Sequence, residues 1–322
     1  MNKSIKYLLG FLTLLSFCVL NGYAQDTGVP DTSEEDKTIV LPTLFDYPVA
    51  PEDLDWTARS EWLGTHFWDS FDFKKTSVGQ QQLNHAFNTW IVPLSYSDAN
   101  VAYKAVDDVI KKLDKNPTLL IQFTKAAEYG LYAPATAPVW MDGIFLKFLD
   151  AVEKNKKVPQ TYKTRYGHER KLLNNTQVGA PATPFMYTSR EGRKEKFAPR
   201  GKFSLVEFGD PECPDCQMTR ISLKNNADVN RYKDAGYLDI YFFITDADEN
   251  DLSWTEEVMD YPDSWIVGAS EDAEDNLDIR LVPSLFLYDS EGNLVMKNVR
   301  LSDVYAKLAE LIEPLMVIPV SE

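Results

Sequence analysis

Cys213 and Cys216, in the run Cys213-Pro214-Asp215-Cys216, are the residues of this sequence best suited to chemistry. Two thiols at that spacing can close into a small disulfide ring and reopen. The pair follows an apolar, β-branched run, FSLVEF (203–208), and the loop GDPE, and it leads into a helical pattern from about Asp215 to Lys233. At the start of such a helix the outer sulfur, Cys213, lies near the positive end of the dipole, which favours its thiolate. The deeper Cys216 can attack a mixed disulfide from behind. That is thiol-disulfide exchange. Three other readings compete: a structural disulfide, weakened because so short a loop removes little unfolded-state entropy; a metal site, which needs two further ligands; and an inherited pair no longer turned over.

The rest of the composition narrows the alternatives. The chain has 322 residues, 33 basic against 49 acidic side chains, and a net charge of −16. No basic cluster is available to release counterions from a phosphate backbone, so nucleic acid is excluded as a partner and anionic membrane surfaces are disfavoured. A hydrophobic share of 44% is ordinary for globular proteins, and the length suits two domains. His66, His85 and His168 are far apart and form no ligand pair, so no metal site and no cofactor is expected.

Lys3 and Lys6 precede an apolar run, Tyr7 to Leu20, too short to cross a bilayer as a helix, with Gly22 and Ala24 spaced as small residues before a cut. Residues 1–24 are therefore expected to be a cleaved signal peptide, which makes the protein exported and periplasmic. An uncleaved anchor fits less well, and so does a lipoprotein at Cys18, because the bulky Phe17 precedes it. Removing the signal takes away Lys3, Lys6 and Cys18, so the net charge becomes −18 and Cys213 and Cys216 are the only cysteines left. Residues 25–51 read as an acidic, flexible tether.

Two domains follow. From 52 to 175 the apolar residues fall at helical spacing, in segments carrying Trp62 to Phe71, Leu83 to Ile91, Val101 to Leu113 behind an Asp98 cap, and Leu119 to Ala127 behind Asn116-Pro117. A further segment, Phe145 to Val152, is expected to open at Pro138. This predicts an all-α domain of five or six helices whose aromatic stripe, Phe67 to Phe73, faces the core. From 176 to 322 short β-branched and aromatic runs appear: FSLVEF, LDIYFFI (238–244), SLFLY (284–288) and NLVM (293–296). A turn at Asp289–Gly292 and a last helix capped by Ser302 complete an α/β pattern with a mixed sheet.

This second domain resembles the thioredoxin fold, and within it the TlpA/ResA-like branch of exported thiol-disulfide oxidoreductases. The Cys-x-x-Cys after the first core strand carries the resemblance. So do Glu207 six residues before Cys213, Val282-Pro283 opening SLFLY, the hairpin LYDSEGNLV and the lead-in VGAPATPFMYTSREGRKEKFAPRGK (178–202). Through RSEWLGTHFWDSFDF (59–73) the helical domain is similar to an uncharacterised domain found ahead of thioredoxin-like domains in exported bacterial proteins.

The resemblance implies Cys213 as nucleophile, Cys216 as resolving thiol, a reversible Cys213–Cys216 disulfide, and Glu207 as a buried proton relay. It also implies that Val282 and a cis Pro283 present backbone to an extended substrate. The implied partners are protein thiols or disulfides of the cell envelope and a membrane electron donor. The sequence departs from the family pattern at Glu212, where a Trp is usual, and at Pro214-Asp215 between the cysteines. Asp210, Glu212 and Asp215 set negative charge around the sulfurs, which opposes thiolate formation and points to a more reducing pair. A scaffold protein with an idle Cys-x-x-Cys is the competing function. A thiol peroxidase lacks its threonine near Cys213.

Overall fold

The computed structural model describes residues 42–247 and 251–316. The expected signal peptide and residues 25–41 of the expected tether lie outside them. Residues 42–51 are not tether. Phe45 sits against Phe67, Trp68 and Phe71 with ring centroids 5.3–5.6 Å away, and Ala50 is buried. A few aromatic residues among polar ones carry no period, yet each buries enough apolar area to anchor the strand of chain it stands on.

Caps set the helical starts. Asp55 accepts from the Ala58 amide and opens α1 (Trp56–His66), and α2 (Gln80–Ser95) follows a glycine. Asp98 accepts from the Asn100 amide at α3 (Ala99–Leu113). Asn116 caps α4 (Pro117–Leu131), with Pro117 at the first position, where an amide would have no helical partner. The half ends with α5 (Asp142–Lys154) and α6 (Gln160–Asn175). Leu83, Phe87, Trp90, Val106, Phe123, Phe145 and Phe148 fill its core. Two expected boundaries move. Phe67, Trp68 and Phe71 lie past the end of α1 but are buried, so the aromatic stripe is core without being helix. The fifth helix opens at Asp142, not Pro138, because residues 138–141 run irregularly, with the Met141 amide bonded back to the Leu131 carbonyl.

The second half is a seven-stranded mixed sheet. In chain order it runs β1 (Phe185–Ser189), β2 (Lys194–Phe197), β3 (Phe203–Gly209), α7 (Pro214–Asn225), α8 (Ala227–Asp234) and β4 (Leu238–Ile244). It continues with α9 (Trp254–Glu257), β5 (Ile266–Ala269), α10 (Glu271–Asn276), β6 (Ser284–Tyr288), β7 (Leu294–Lys297) and α11 (Leu301–Met316). The spatial order is β2-β1-β5-β4-β3-β6-β7, with β3–β4 and β4–β5 parallel and the other pairs antiparallel. The fold is thus a mixed sheet with flanking helices behind an all-α half, as the resemblance implies.

Three local differences have plain causes. The expected single helix Asp215–Lys233 is two, because Asn226 ends α7 and its side chain caps α8 through the Asp228 and Val229 amides. The last helix begins at Leu301, so Ser302 lies inside it and does not cap it. Strand β5 carries no pattern of its own. Its four residues are strand because β4 and β1 flank them, and a side chain at Gly268 would meet the Tyr187 ring at 2.6 Å and the Thr188 carbonyl at 2.7 Å.

Candidate active site

Strand β3 is buried along its whole length, so its alternation assigns each residue to a covered face. Val206 and Phe208 join Phe185, Phe243 and Phe286 on one side. Phe203 and Leu205 join Leu223, Val229 and Phe242 on the other, and Glu207 and Gly209 share that second face by the period of two. Glu207 therefore enters the apolar layer on the side where α7 lies, not an exposed edge. It is 1% exposed, and neither carboxylate oxygen has a hydrogen-bond partner among the described residues.

The two cysteines stand where β3 gives way to α7. Cys213 is the N-cap of α7 and half-buried, Pro214 is its first residue, and Cys216 is fully buried. Both are free thiols. The loop before them is strapped down: the Glu212 amide donates to Asp210 Oδ1 at 2.7 Å, the Cys213 amide to the Asp210 carbonyl at 3.1 Å, and Gln217 Nε2 to the Pro211 carbonyl at 3.0 Å. A Cβ at Gly209 would lie 2.9 Å from the Phe242 ring and 3.0 Å from Cys216 Sγ. Glycine is thus required for the strand to pass beneath the buried sulfur. Gly209→Val is expected to push Cys216 out of place and to slow the closing of the pair, as read by the rate of internal disulfide formation after oxidant addition.

Burial separates the proton affinities of the site. It pushes the Cys216 thiol up to about 12; the Asp210 amide opposes this, while the neighbouring Cys213 and Glu207 add to it. Burial likewise raises Glu207 to about 8, Arg220 pulling it down and Cys213 pushing it up. Cys216 therefore cannot lose its proton to water readily, while the buried Glu207 carboxyl in the same layer exchanges its own near neutral pH. Arg220 is four residues beyond Cys216, one turn along the same face of α7, with its guanidinium 4.5 Å from the Tyr261 ring centroid. Neither residue stood out in the sequence. The i, i+4 step from Cys216 was the signal for Arg220.

The registers bring the proline loop to the same place. Phe208 pairs with Ser284 in the β3–β6 ladder, which sets Pro283 level with the end of β3 and the start of the cysteine loop. The Val282–Pro283 bond is cis, Pro283 is half-buried, and Val282 and Leu281 are each nearly half exposed. A groove of about 440 Å³ lies between this loop and α7, lined by Asp215 and Thr219 on one side and Leu281, Pro283 and Leu285 on the other. Of the three carboxylates expected to tune the pair, Asp210 is engaged with its own loop, while Glu212 and Asp215 are exposed, where water and salt shorten their reach.

Glu207→Gln tests the relay. A carboxyl raised from 4.5 to about 8 on folding is content while protonated, so its share of stability is whole below pH 4.5 and is lost as the pH rises through 8. The full span is on the order of 4–5 kcal/mol, at about 1.4 kcal/mol per unit. The wild type should lose urea resistance between pH 5 and 9 more steeply than Glu207→Gln, and the variant should be the more stable at pH 9. Parallel curves would show that Glu207 does not titrate in this range.

Comparison with known proteins agrees with the two halves. Residues 24–176 match the model of a domain of unknown function, DUF5106, and residues 191–300 match that of the thioredoxin-like domain. No protein of curated function matches the chain. Among solved structures, a thioredoxin-like protein from Bacteroides caccae aligns over 84% of this chain and all of its own, at 20% identity and a TM-score of 0.70, which extends the shared fold across both halves. The thioredoxin domain of a thiol-disulfide oxidoreductase from Bacteroides vulgatus aligns over 42% of this chain and 98% of its own, at 26% identity and a TM-score of 0.35. A thiol-disulfide oxidoreductase from Bacteroides fragilis aligns over 41% and 98%, at 18% identity and a TM-score of 0.33.

Proposed function

We propose that this chain, a DUF5106 domain followed by a thioredoxin-like domain, is an exported thiol-disulfide oxidoreductase that reduces disulfides of cell-envelope proteins. One observation carries the reading: a half-exposed thiol at a helix N-terminus, a buried thiol three residues on, and an unpartnered buried carboxyl lie around the same strand end.

The Cys213 thiolate attacks one sulfur of a client disulfide. The client S–S bond breaks, its other sulfur leaves as a thiolate that takes a proton, and a Cys213–client mixed disulfide forms. Cys216 then attacks Cys213 Sγ, releases the client's second thiol and closes the Cys213–Cys216 disulfide. Two electrons have passed from the pair to the client. Glu207 takes the Cys216 proton in this second step. Forming the mixed disulfide removes the Cys213 charge that raises Glu207, so more of the carboxyl is in its accepting form when it is needed. A dithiol on a membrane electron donor restores the reduced pair. The carboxylates of Asp210, Glu212 and Asp215 disfavour the thiolate of the reduced pair, which makes that pair the readier electron donor to the extent that solvent screening allows.

Export rests on the signal-like residues 1–24. The activity is tested with insulin and dithiothreitol: the protein should accelerate precipitation of the reduced B chain. A rate equal to dithiothreitol alone would leave the chain as a scaffold with an idle pair.

A further inference from the structure

Trp140 belongs to the helical half, in the irregular stretch before α5, yet it lines the groove beside Pro283. Arg280, three residues before Pro283, holds it there. The Arg280 guanidinium lies 5.1 Å from the Trp140 ring centroid and 4.3 Å from that of Tyr132. The same guanidinium donates to Asp142 at 2.5 Å and to Asp278 at 2.7 Å, and its side chain is 2% exposed. A cation held on four sides cannot swing away, and a desolvated cation–π contact fixes the indole it touches.

We propose that Trp140 is a specificity-determining wall of the client groove. An extended client segment lying along the Leu281–Pro283 loop puts the side chain beside its cysteine against the Trp140 ring, and the groove selects a large apolar side chain at that position. The inference rests on the oxidoreductase reading and adds the substrate class. The groove that Trp140 lines is lined also by the apolar side chains of Leu281, Pro283, Leu285 and Val299. Its charge favours a basic segment over an acidic one: Arg300, the cation lining the groove, is already paired with Asp303 at 3.1 Å, while exposed Asp215 stands at the rim two residues from Cys213. The helical half thus completes the groove from outside the redox domain.

Two peptides test this, each with one internal disulfide and one lysine, differing only in whether Leu-Phe or Gly-Ser adjoins the cysteine. Wild-type protein should reduce the Leu-Phe peptide with a kcat/KM about tenfold above the Gly-Ser peptide. Trp140→Ala should bring that ratio close to one, and Trp140→Phe should restore most of it, which a merely structural role would not predict. If Trp140→Ala fails to fold, Leu281→Ser in the same groove takes its place with the same expected loss. Equal reduction of both peptides by the wild type, or an unchanged ratio in the variant, overturns the groove assignment while leaving the oxidoreductase intact. Reduction of neither peptide overturns the oxidoreductase reading and this inference with it.

Discussion

Cys213→Ser is expected to bring insulin reduction down to the dithiothreitol background, and Cys216→Ser to do the same while holding clients as stable mixed disulfides. The two variants differ because the sulfurs do. Cys213 is half-exposed at the first turn of α7 and can meet a client, whereas Cys216 is fully buried with its thiol pushed up to about 12. Without Cys216 the first exchange still proceeds, but nothing attacks the Cys213–client bond from behind, so the intermediate persists until external thiol releases it. Non-reducing electrophoresis of an envelope extract mixed with Cys216→Ser should show Cys213-dependent bands that vanish on reduction and that the double variant lacks. Trapping by Cys213→Ser instead would reverse the assigned roles. Slowing by Glu207→Gln should fall on the resolving step alone, on the order of a hundredfold at neutral pH, and so lengthen the life of the mixed disulfide.

Asp278→Asn is expected to cost about 3–5 kcal/mol of stability, the range for stripping one partner from a buried ion pair. Asp278 has a fully buried side chain between Arg280 and Lys297, which are 2% and 6% exposed, and Tyr132, just past the end of α4, donates its hydroxyl to it at 2.9 Å. Burial alone would raise the Asp278 carboxyl, but Lys297 and Arg280 outweigh it and hold it below the usual range. Asp142, at the start of α5, accepts from both cations, at 2.5 Å from Arg280 and 3.0 Å from Lys297. Two anions therefore balance two cations across the junction of the halves. Removing Asp278 leaves one buried positive charge without a counterion. Urea unfolding should show the loss, and adding Lys297→Met should recover part of it by restoring one cation to one anion. If the double variant loses the sum of the two single losses, the four groups are not one network.

The motif and its neighbours were legible early because they are local. Cys213 and Cys216 are three residues apart, Glu207 is six residues upstream, and a strand followed by a helix orients them without help from distant chain. The caps Asp98 and Asn116 and the runs LDIYFFI and SLFLY were equally readable, since caps and apolar periods act within a turn or a strand. Strand β5 was not, for its four residues become a strand only between β4 and β1. Phe45 and Tyr47 lay in a stretch read as tether, and only the ring cluster they join marks them as core.

The sequence by itself determined the placing of the pair: two thiols at the spacing of a reversible disulfide, at the start of a helix pattern, in a chain whose acidic balance argues against nucleic acid. Tertiary structure decided which groups surround that chemistry. Arg220 reaches Glu207 through the packing of α7 on the sheet, and Gly209 matters because Cys216 lies over it. Trp140 and Pro283 line one groove although 143 positions separate them in the sequence. Long-range neighbours of this kind follow from which faces find apolar cover and which buried charges find partners, and both are properties of the packed chain that no local spacing encodes.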